Sequence, residues 1–386
     1  MKAILRNPLL RLLLIALIAT SSLVLIARIG SLFMGKNPVV LLITADSLRP
    51  DHLSCYGYGP ISTKSLDELA EDGVLFENAY CSVPARIYSY AAVLTGKNGG
   101  TATVAKGGTV RLNDLCRSLS EYLRNEGYLT IAVTSDPVLA KDAGFGRDFD
   151  IVENVPPGAP ETRDDQTDAE KNLTQTALEL LWKNKRKPVF MWLEYPIPLF
   201  PYQVPENFRK ARDQHLYDRQ IVLLDGKISM LLRGMRELGL DKAATIVFTA
   251  ANGESLNEHK EFTRGIFVYD STARVPLIIK SPKCPPGKRV KTIASHIDIA
   301  PTILAELGIN YDPRNFDGES LVPVIADEKD AEPRSLYIES PIGYHAFGWS
   351  PVVGLISDDH KYIELPKPEL YDLKKDPHEL HNIVNE

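Results

Sequence analysis

The sequence contains few cysteines and no motif that would make them metal ligands. The 386 residues include four cysteines, Cys55, Cys81, Cys116 and Cys284. They show neither a CxxC spacing nor a Cys/His ligand pattern. A zinc site is therefore not expected. One or two disulfides fit an exported protein, and free buried thiols fit equally well.

The sequence also lacks an excess of positive charge. The formal net charge is −6, and no basic stripe is present, which excludes nucleic acid as an expected partner. There is no internal repeat and no low-complexity tract. The composition, 44% hydrophobic and 24% charged, is typical of one large globular domain with room for a small appendage.

A single apolar run stands at the N-terminus. Residues 12–27 carry no charge and are preceded by Lys2, Arg6 and Arg11, with Arg28 directly after them. As a helix, this run would be about 24 Å long, slightly shorter than a bilayer core. A cleaved signal peptide is the alternative. We favour an uncleaved single-pass anchor, because no clean small-x-small cleavage site precedes the first strand.

The basic residues before this run place the N-terminus inside and the body outside, in the periplasm or on the extracellular or luminal side. The expected organisation is a membrane anchor and linker in residues 1–37, a large domain in 38–334 and a small one in 335–386. Lipid around the anchor and other membrane proteins are the expected partners.

The body predicts alternating strands and helices. Apolar runs of strand length occur at 39–44, 128–134, 188–193, 245–249 and 275–280, with helical patterns at 65–72, 115–126, 172–183 and 217–238. This alternation is typical of an α/β sheet covered on both faces. Ligands of such sheets bind where the strands end, which directs attention to the loops after Thr44, Leu193 and Thr249.

The last fifty residues change in character. Short strand patterns occur at 335–339, 352–356 and 361–364, and the tail at 369–382 reads ELYDLKKDPHELHN. These patterns predict a small antiparallel subdomain at the C-terminus.

Residues 76–96 read FENAYCSVPARIYSYAAVLTG. Other distinctive segments are DSLRPDHLSCYGY at 46–58, SLSEYLRNEGY at 118–128, YDRQIVLLD at 217–225, YDSTARVPLII at 269–279, HIDIAPT at 296–302 and the tail. Together, and in their order along the chain, they resemble the sulfatase family of the alkaline-phosphatase superfamily, whose nucleophile segment is similar to residues 76–96 without a gap.

The resemblance implies a mixed, mostly parallel sheet flanked by helices, with a small C-terminal antiparallel α+β subdomain. It also implies an ester hydrolase that uses a nucleophile and a divalent cation such as Ca²⁺. However, the nucleophile column falls on Arg86, whose guanidinium stays protonated and cannot attack sulfur or phosphorus. The family's nearby arginine is replaced by Tyr90.

Several positions that the resemblance assigns to metal binding or substrate contact also lack the family's residues. Asp46 occupies the first ligand position and Asn252 another, but Ala251 stands where the family has a ligand carboxylate. Leu199 replaces a substrate-facing histidine, Ile197 an aspartate and Glu194 another histidine. One carboxylate and one amide make a poor divalent site, so neither a metal nor another cofactor is expected. Glu254 is expected at the surface.

We therefore expect a pseudoenzyme that acts as an accessory, structural or binding subunit. Without a metal, a buried Asp46 needs a new counterion, and Arg86 is predicted to supply it and to pair with Asn252 as well. The alternative is a sulfuric- or phosphoric-ester hydrolase with a rearranged site that would use Ca²⁺. Its nucleophile would come from the candidates beside Arg86, which are Cys81, Ser82 and Ser89.

Overall fold

The computed structural model describes residues 38–106, 109–136, 139, 143–155, 172–202, 216–326 and 334–386. The expected membrane anchor, residues 12–27, lies outside these ranges. Within them, no helix combines the length and the apolar character needed to cross a bilayer.

The strands are, in chain order, β1 Val39–Ser47, β2 Val74–Tyr80, β3 Thr103–Lys106, β4 Thr109–Leu112, β5 Leu129–Thr134, β6 Ile151–Asn154, β7 Val189–Tyr195, β8 Thr245–Asn252, β9 Arg274–Lys280, β10 Lys288–Val290, β11 Ala294–Ser295, β12 Ser335–Ser340, β13 Val352–Ser357, β14 His360–Glu364 and β15 Glu369–Asp372.

The α-helices are α1 Lys64–Glu71, α2 Arg86–Thr95, α3 Gly99–Ala102, α4 Leu119–Asn125, α5 Leu173–Asn184, α6 Leu216–Glu237, α7 Asp270–Ala273, α8 Ile299–Glu306, α9 Val322–Ile325 and α10 Ile342–Phe347. Short 3-10 helices lie at Pro50–His52, Ser54–Tyr56, Phe145–Asp148, Glu258–Lys260, His296–Asp298 and Pro313–Asn315.

Nine strands of the described chain form the main sheet, in the order β10-β2-β9-β8-β1-β7-β5-β6, with β11 beside β2. Pairing is parallel except where β9 meets β2 and β8. The helices α1 and α5 pack on α6, whereas α4 and α8 pack on α2. All nine residues of β1 are buried, which requires helices on both faces. The expected mixed, mostly parallel sheet is confirmed.

The second sheet is antiparallel, in the order β12-β13-β14-β15. Its inward residues alternate with outward ones along each strand, as the burial of Leu336 and Ile338 and the exposure of Tyr337 show. Lys361 on β14 attaches this sheet to the main domain. Its side chain is fully buried, with Nζ 2.9 Å from Glu379 Oε1 and also paired with Asp270.

Candidate functional site: an arginine-filled pocket

The predicted site residues converge where β1, β5, β7 and β8 end. Asp46 lies near the carboxyl end of β1, and its side chain is fully buried. The backbone N–H of the next residue, Ser47, donates to Pro198 O at 3.2 Å, which fixes the segment after β7 against this edge. Parallel strands that end together thus bring residues distant in sequence into one pocket.

Arg86 is the first residue of α2 and reaches into this pocket. Its Nη1 lies 3.4 Å from Asp46 Oδ2, and its Nη2 lies 2.5 Å from Asp136 Oδ2. A cation at a helix N-terminus faces the positive end of the helix dipole. The two carboxylates offset that repulsion. Burial lowers the pKa of Arg86, but the negative charges around it, Asp46 first and Asp136 and Glu194 with it, together outweigh burial and hold the pKa above its usual value.

A second arginine, Arg264, completes the arrangement. Its Nη2 lies 3.4 Å from Asp46 Oδ1, and its Nη1 donates to Glu254 Oε2 at 3.2 Å. Acids and arginines therefore alternate along a chain of ion pairs that we call the pocket network: Asp136, Arg86, Asp46, Arg264 and Glu254.

The pocket network contains residues that sequence reasoning missed. The expectation that Glu254 lies at the surface was wrong, since it is fully buried. It turns inward because Arg264 supplies a partner for its charge. Arg264 and Asp136 were not identified from the sequence. Asp136 closely follows the end of β5, which was an available signal, whereas Arg264 lies beyond the 3-10 helix after β8, where no such signal marks it.

The pairing of β1 with β8 shows where the metal-ligand positions implied by the family resemblance lie. Ala45 pairs with Ala250 and Ser47 with Asn252, so Ala251 lies beside Asp46. Ala251 is fully buried and offers no donor atom. Asn252 is not bonded to Arg86; its Nδ2 donates to Gly253 O at 2.6 Å and lies 3.4 Å from Ser47 Oγ.

Glu194 is the penultimate residue of β7, lies beside the pocket network and is fully buried. Its Oε2 accepts hydrogen bonds from Thr134 Oγ1 at 2.8 Å and from the backbone N–H of Ser135 at 3.3 Å. Among the described residues, no donor reaches its Oε1. Burial, with the negative charge of Asp46 adding to it, raises the pKa of Glu194 to about 7. This side chain is therefore a proton-binding site at neutral pH.

The remaining substituted positions are apolar or packed. The backbone N–H of Leu199 donates to Gln220 Oε1 at 2.7 Å, and the side chain has no group that can donate a hydrogen bond or a proton. Tyr90 is fully buried, stacks edge-on against Trp192 at 5.4 Å between ring centroids, and lies with its hydroxyl 3.4 Å from Ala45 O. Neither residue provides chemistry for ester hydrolysis.

The alternative nucleophiles are all fully buried: Cys81, Ser82 and Ser89. Burial raises the pKa of the Cys81 thiol to about 12, which disfavours the reactive thiolate. Ser89 Oγ donates to Val83 O at 2.7 Å, and Ser82 Oγ accepts from the backbone N–H of Gly99. All four cysteines have free thiols.

The residues present do not fit a divalent cation. Both oxygens of Asp46 face guanidinium nitrogens, and Ala251 supplies nothing. A hard cation such as Ca²⁺ needs six to eight oxygen ligands and would be repelled by the two arginines. Within the described ranges, no group of three or more His, Cys, Asp or Glu side chains could hold a metal ion.

His259, His296 and Asp298 have structural positions and form no part of the pocket network. His296 is buried, and this burial lowers its pKa to about 3. Asp298 accepts a bidentate ion pair from Arg334 at 2.6 and 2.7 Å and caps the turn at Ser295. His259 stacks on Tyr269 at 3.7 Å, outside the pocket network.

Comparison with known proteins agrees with this fold. The model of the sulfatase family matches residues 38–309, and that of the N-sulphoglucosamine sulphohydrolase C-terminal region matches residues 257–386. The chain belongs to the sulfatase family. Among its relatives in this family is an uncharacterized sulfatase, YidJ, of Escherichia coli, 24% identical over 91% of this chain and 84% of the relative.

Other sulfatase-family relatives and structures cover similar lengths. An arylsulfatase of Clostridium perfringens is 23% identical, covering 90% of each chain. The phosphonate monoester hydrolase of Agrobacterium radiobacter superposes with a TM-score of 0.73 at 21% identity, covering 90% of this chain and 91% of its own. A putative sulfatase of Bacteroides thetaiotaomicron gives 0.74 at 20%, covering 91% and 88%. These structures establish the sulfatase fold alone.

Proposed function

We propose that this chain is a sulfatase-fold protein without hydrolytic activity, held outside a membrane by its N-terminal segment and acting as an accessory or binding subunit. The observation that carries the proposal is the position of Arg86. Arg86 stands where the sulfatase family has its nucleophile. Its guanidinium lies between Asp46 and Asp136 and cannot form a covalent ester intermediate.

Three further features support this proposal. The pocket network supplies the positive charge that a metal would otherwise bring to Asp46. Ala251 and Leu199 remove a ligand and a proton donor from the positions that the resemblance gives them. The nearby thiol and hydroxyls are buried away from any substrate. The scaffold is intact while the nucleophile, one metal-ligand carboxylate and the substrate-facing histidine are missing, as expected of a fold retained for its surface.

The test combines turnover with cation binding. Purified protein is incubated with an aryl sulfate and with a phosphonate ester, with and without Ca²⁺, and Ca²⁺ is titrated by calorimetry. We expect no turnover above the buffer rate and no tight Ca²⁺ site. Turnover by the wild-type protein, or a saturable Ca²⁺ isotherm that disappears in Asp46→Asn, would overturn the proposal.

The second candidate is a hydrolase of sulfate or phosphonate esters with a rearranged nucleophile. The names of the relatives, which include an arylsulfatase and a phosphonate monoester hydrolase, favour it. It predicts turnover that is lost in Cys81→Ala or Ser89→Ala. The burial of both side chains opposes this candidate, since an attacking atom must reach the ester.

A further inference from the structure

A cluster of basic side chains lies where the chain enters the main sheet. The end of α5 and the turn after it contain Lys183, Lys185, Arg186 and Lys187, whose side chains are all exposed. Among the described residues, none of the last three takes part in an ion pair. Trp182, directly before them, is 56% exposed. We call these five side chains the basic cluster, and its charge is free to attract an anionic partner.

Strand pairing places the basic cluster beside residues 1–37. Val39, the first residue of β1, pairs with Val189, the first residue of β7. The backbone N–H of Val189 donates to Pro38 O at 3.0 Å. Val189 is two positions after Lys187. Whatever holds residues 1–37 therefore holds the basic cluster close to it as well.

This end of the main sheet is positively charged, unlike the chain as a whole. The helices α4, α5 and α6 all end here, each with a basic residue in its last turn. With the turns to the next strands, residues 124–128, 183–188 and 236–244 contain seven basic and three acidic residues, whereas the whole chain has a net charge of −6. The fold assembles this excess from three segments, so it forms no stripe along the sequence. Basic residues in a last turn complement the helix dipole, but those at 185–187 lie beyond the helix.

We propose that the basic cluster docks on the anionic lipid head groups of the membrane that holds the N-terminal segment. This inference rests on the tether of the proposed function and adds a contact surface to it. Lys and Arg residues beside a membrane span are attracted to anionic lipids, and Trp is enriched at membrane–water interfaces. Ten residues, 29–38, separate the apolar run and Arg28 from β1. Fully extended, they would span at most about 35 Å, so the tether lets the basic cluster reach the bilayer surface.

A soluble anionic polymer fits the basic cluster less well. It would use the same charges, but nothing in its chemistry would favour their position beside residues 1–37. A bilayer that holds those residues is present at a high effective concentration, whereas a free polymer must be captured from solution. The position of the basic cluster therefore favours the lipid surface.

Quenching of tryptophan fluorescence by brominated lipid tests the inference on the full chain. The sequence has three tryptophans, of which Trp192 is buried. Trp349→Phe leaves Trp182 as the exposed probe, and Trp182→Phe leaves Trp349, which is 54% exposed and lies in the C-terminal subdomain. Each protein is reconstituted into vesicles of brominated phosphatidylcholine, with or without an equal amount of phosphatidylglycerol.

We expect strong quenching of Trp182, but not of Trp349, in the vesicles that contain phosphatidylglycerol. In the Trp349→Phe background, Arg186→Gln with Lys187→Gln should reduce this quenching at least about fivefold, since one basic residue beside an anionic leaflet shifts the docking equilibrium by about that factor. The matched control is Lys374→Gln with Lys375→Gln, an equally exposed pair in the C-terminal subdomain, which should leave the quenching unchanged. Both double variants should melt at the temperature of their background.

Flotation of the vesicles in about 0.5 M KCl, where the Debye length falls to roughly 4 Å, separates this inference from the tether. Salt should abolish the quenching of Trp182 and leave the protein on the vesicles. A protein that leaves the vesicles in salt would refute the tether, and its quenching at low salt would still decide the inference.

Three outcomes would overturn the docking of the basic cluster on anionic lipid. They are equal quenching of Trp182 with and without phosphatidylglycerol, quenching of Trp349 alone, and no quenching in a protein that stays on the vesicles. In the last case, protection of Trp182 from acrylamide by a soluble polyanion would assign the basic cluster to a polymer instead. Each outcome is independent of the hydrolysis and Ca²⁺ assays.

Discussion

At the scale of single residues, Asp46 depends on charges that other elements bring to it. Its carboxylate is fully buried between Arg86 and Arg264, each 3.4 Å away. A buried ion pair contributes little net stability when intact, but removing one partner leaves the other charge without compensation. Here one aspartate serves two arginines, so its removal affects both.

Asp46→Ala is therefore expected to destabilise the protein by about 2–4 kcal/mol. Equilibrium unfolding in urea measures this loss. The control is Asp114→Ala, which removes an ion pair of 2.6 Å with Arg147 from a side chain that is 93% exposed. The control should change stability by at most about 1 kcal/mol. Equal effects of both substitutions would mean that the pocket network does not support the fold.

The buried glutamates make stability depend on pH. Burial raises the pKa of Glu194 and of Glu261 to about 7, well above that of an unfolded glutamate. The folded state therefore holds more protons than the unfolded state between about pH 4.5 and 7. The stability that this difference contributes is fully present at the acidic end and is lost as the pH rises through 7.

The two glutamates should accordingly raise the melting temperature at pH 5 relative to pH 8, against the opposing contribution of the buried His296, which stays uncharged in the folded state. Glu194→Gln keeps an acceptor for Thr134 but cannot ionise, so it should raise stability at pH 8 by about 1–3 kcal/mol and flatten the pH dependence. Glu179→Gln, on the exposed face of α5, is the control. Parallel melting profiles for both variants would refute this assignment.

The pairing of Arg86 with Asp46 illustrates what the sequence can predict at this scale. The family resemblance aligned both residues with one pocket, and charge balance then suggested their proximity. The same reasoning could not find Arg264 or Asp136, because neither occupies a substituted column. Their roles depend on loop paths after β8 and β5, which local sequence does not determine.

At the scale of elements, the end of β8 packs directly against the start of α7. The backbone N–H of Gly253 donates to Thr272 O at 2.8 Å. A Cβ at Gly253 would lie 2.2 Å from Ser271 O, which is backbone and cannot rotate away. Glycine thus permits the close approach that positions Asn252 and Glu254 on either side of it.

Gly253→Ala should lower stability by about 1–3 kcal/mol, because the backbone must shift to admit a methyl group. The matched substitution is Gly226→Ala within α6, where a Cβ would meet nothing within 4 Å. It should raise stability by about 0.5–1 kcal/mol through helix propensity. Thermal denaturation of both variants checks the opposite signs. A stabilising Gly253→Ala would contradict the packing described.

The sequence predicted strands and helices correctly where the apolar pattern extends over many residues, but it placed some of their ends wrongly. The buried runs at 39–44 and 245–249 lie within β1 and β8. The helix predicted at 115–126 begins four residues later, at Leu119, because the Ser118 side chain caps it by accepting from the backbone N–H of Glu121. The short α10 was missed, since its six residues carry no helical period and depend on tertiary contacts.

At the scale of the whole molecule, one buried lysine joins the two sheets. Lys361 on β14 pairs with Asp270 of α7 and with Glu379 near the C-terminus, and it donates to Val268 O at 3.1 Å. Separating the small sheet from the main sheet would leave these charges without their partners in a partly apolar interface. The two sheets should therefore unfold in one cooperative transition.

Lys361→Ala should destabilise the protein by about 3–5 kcal/mol, because Asp270 and Glu379 lose their shared counterion. Scanning calorimetry should show one endotherm for the wild-type protein, at a lower temperature in the variant. Lys374→Ala is the control, since Lys374 is 76% exposed and 3.7 Å from Asp359. Two separate endotherms in the wild-type protein would contradict the coupling.

The direction of β1 has a consequence for how a tethered molecule would be oriented. The strand starts at Val39, directly after the linker, and ends at Ser47 beside the pocket network. Nine residues in extended conformation span about 30 Å. The arginines therefore lie about one strand length beyond the point where the chain enters the domain, so a tether at residues 12–27 would act on the opposite end of β1 from the pocket network.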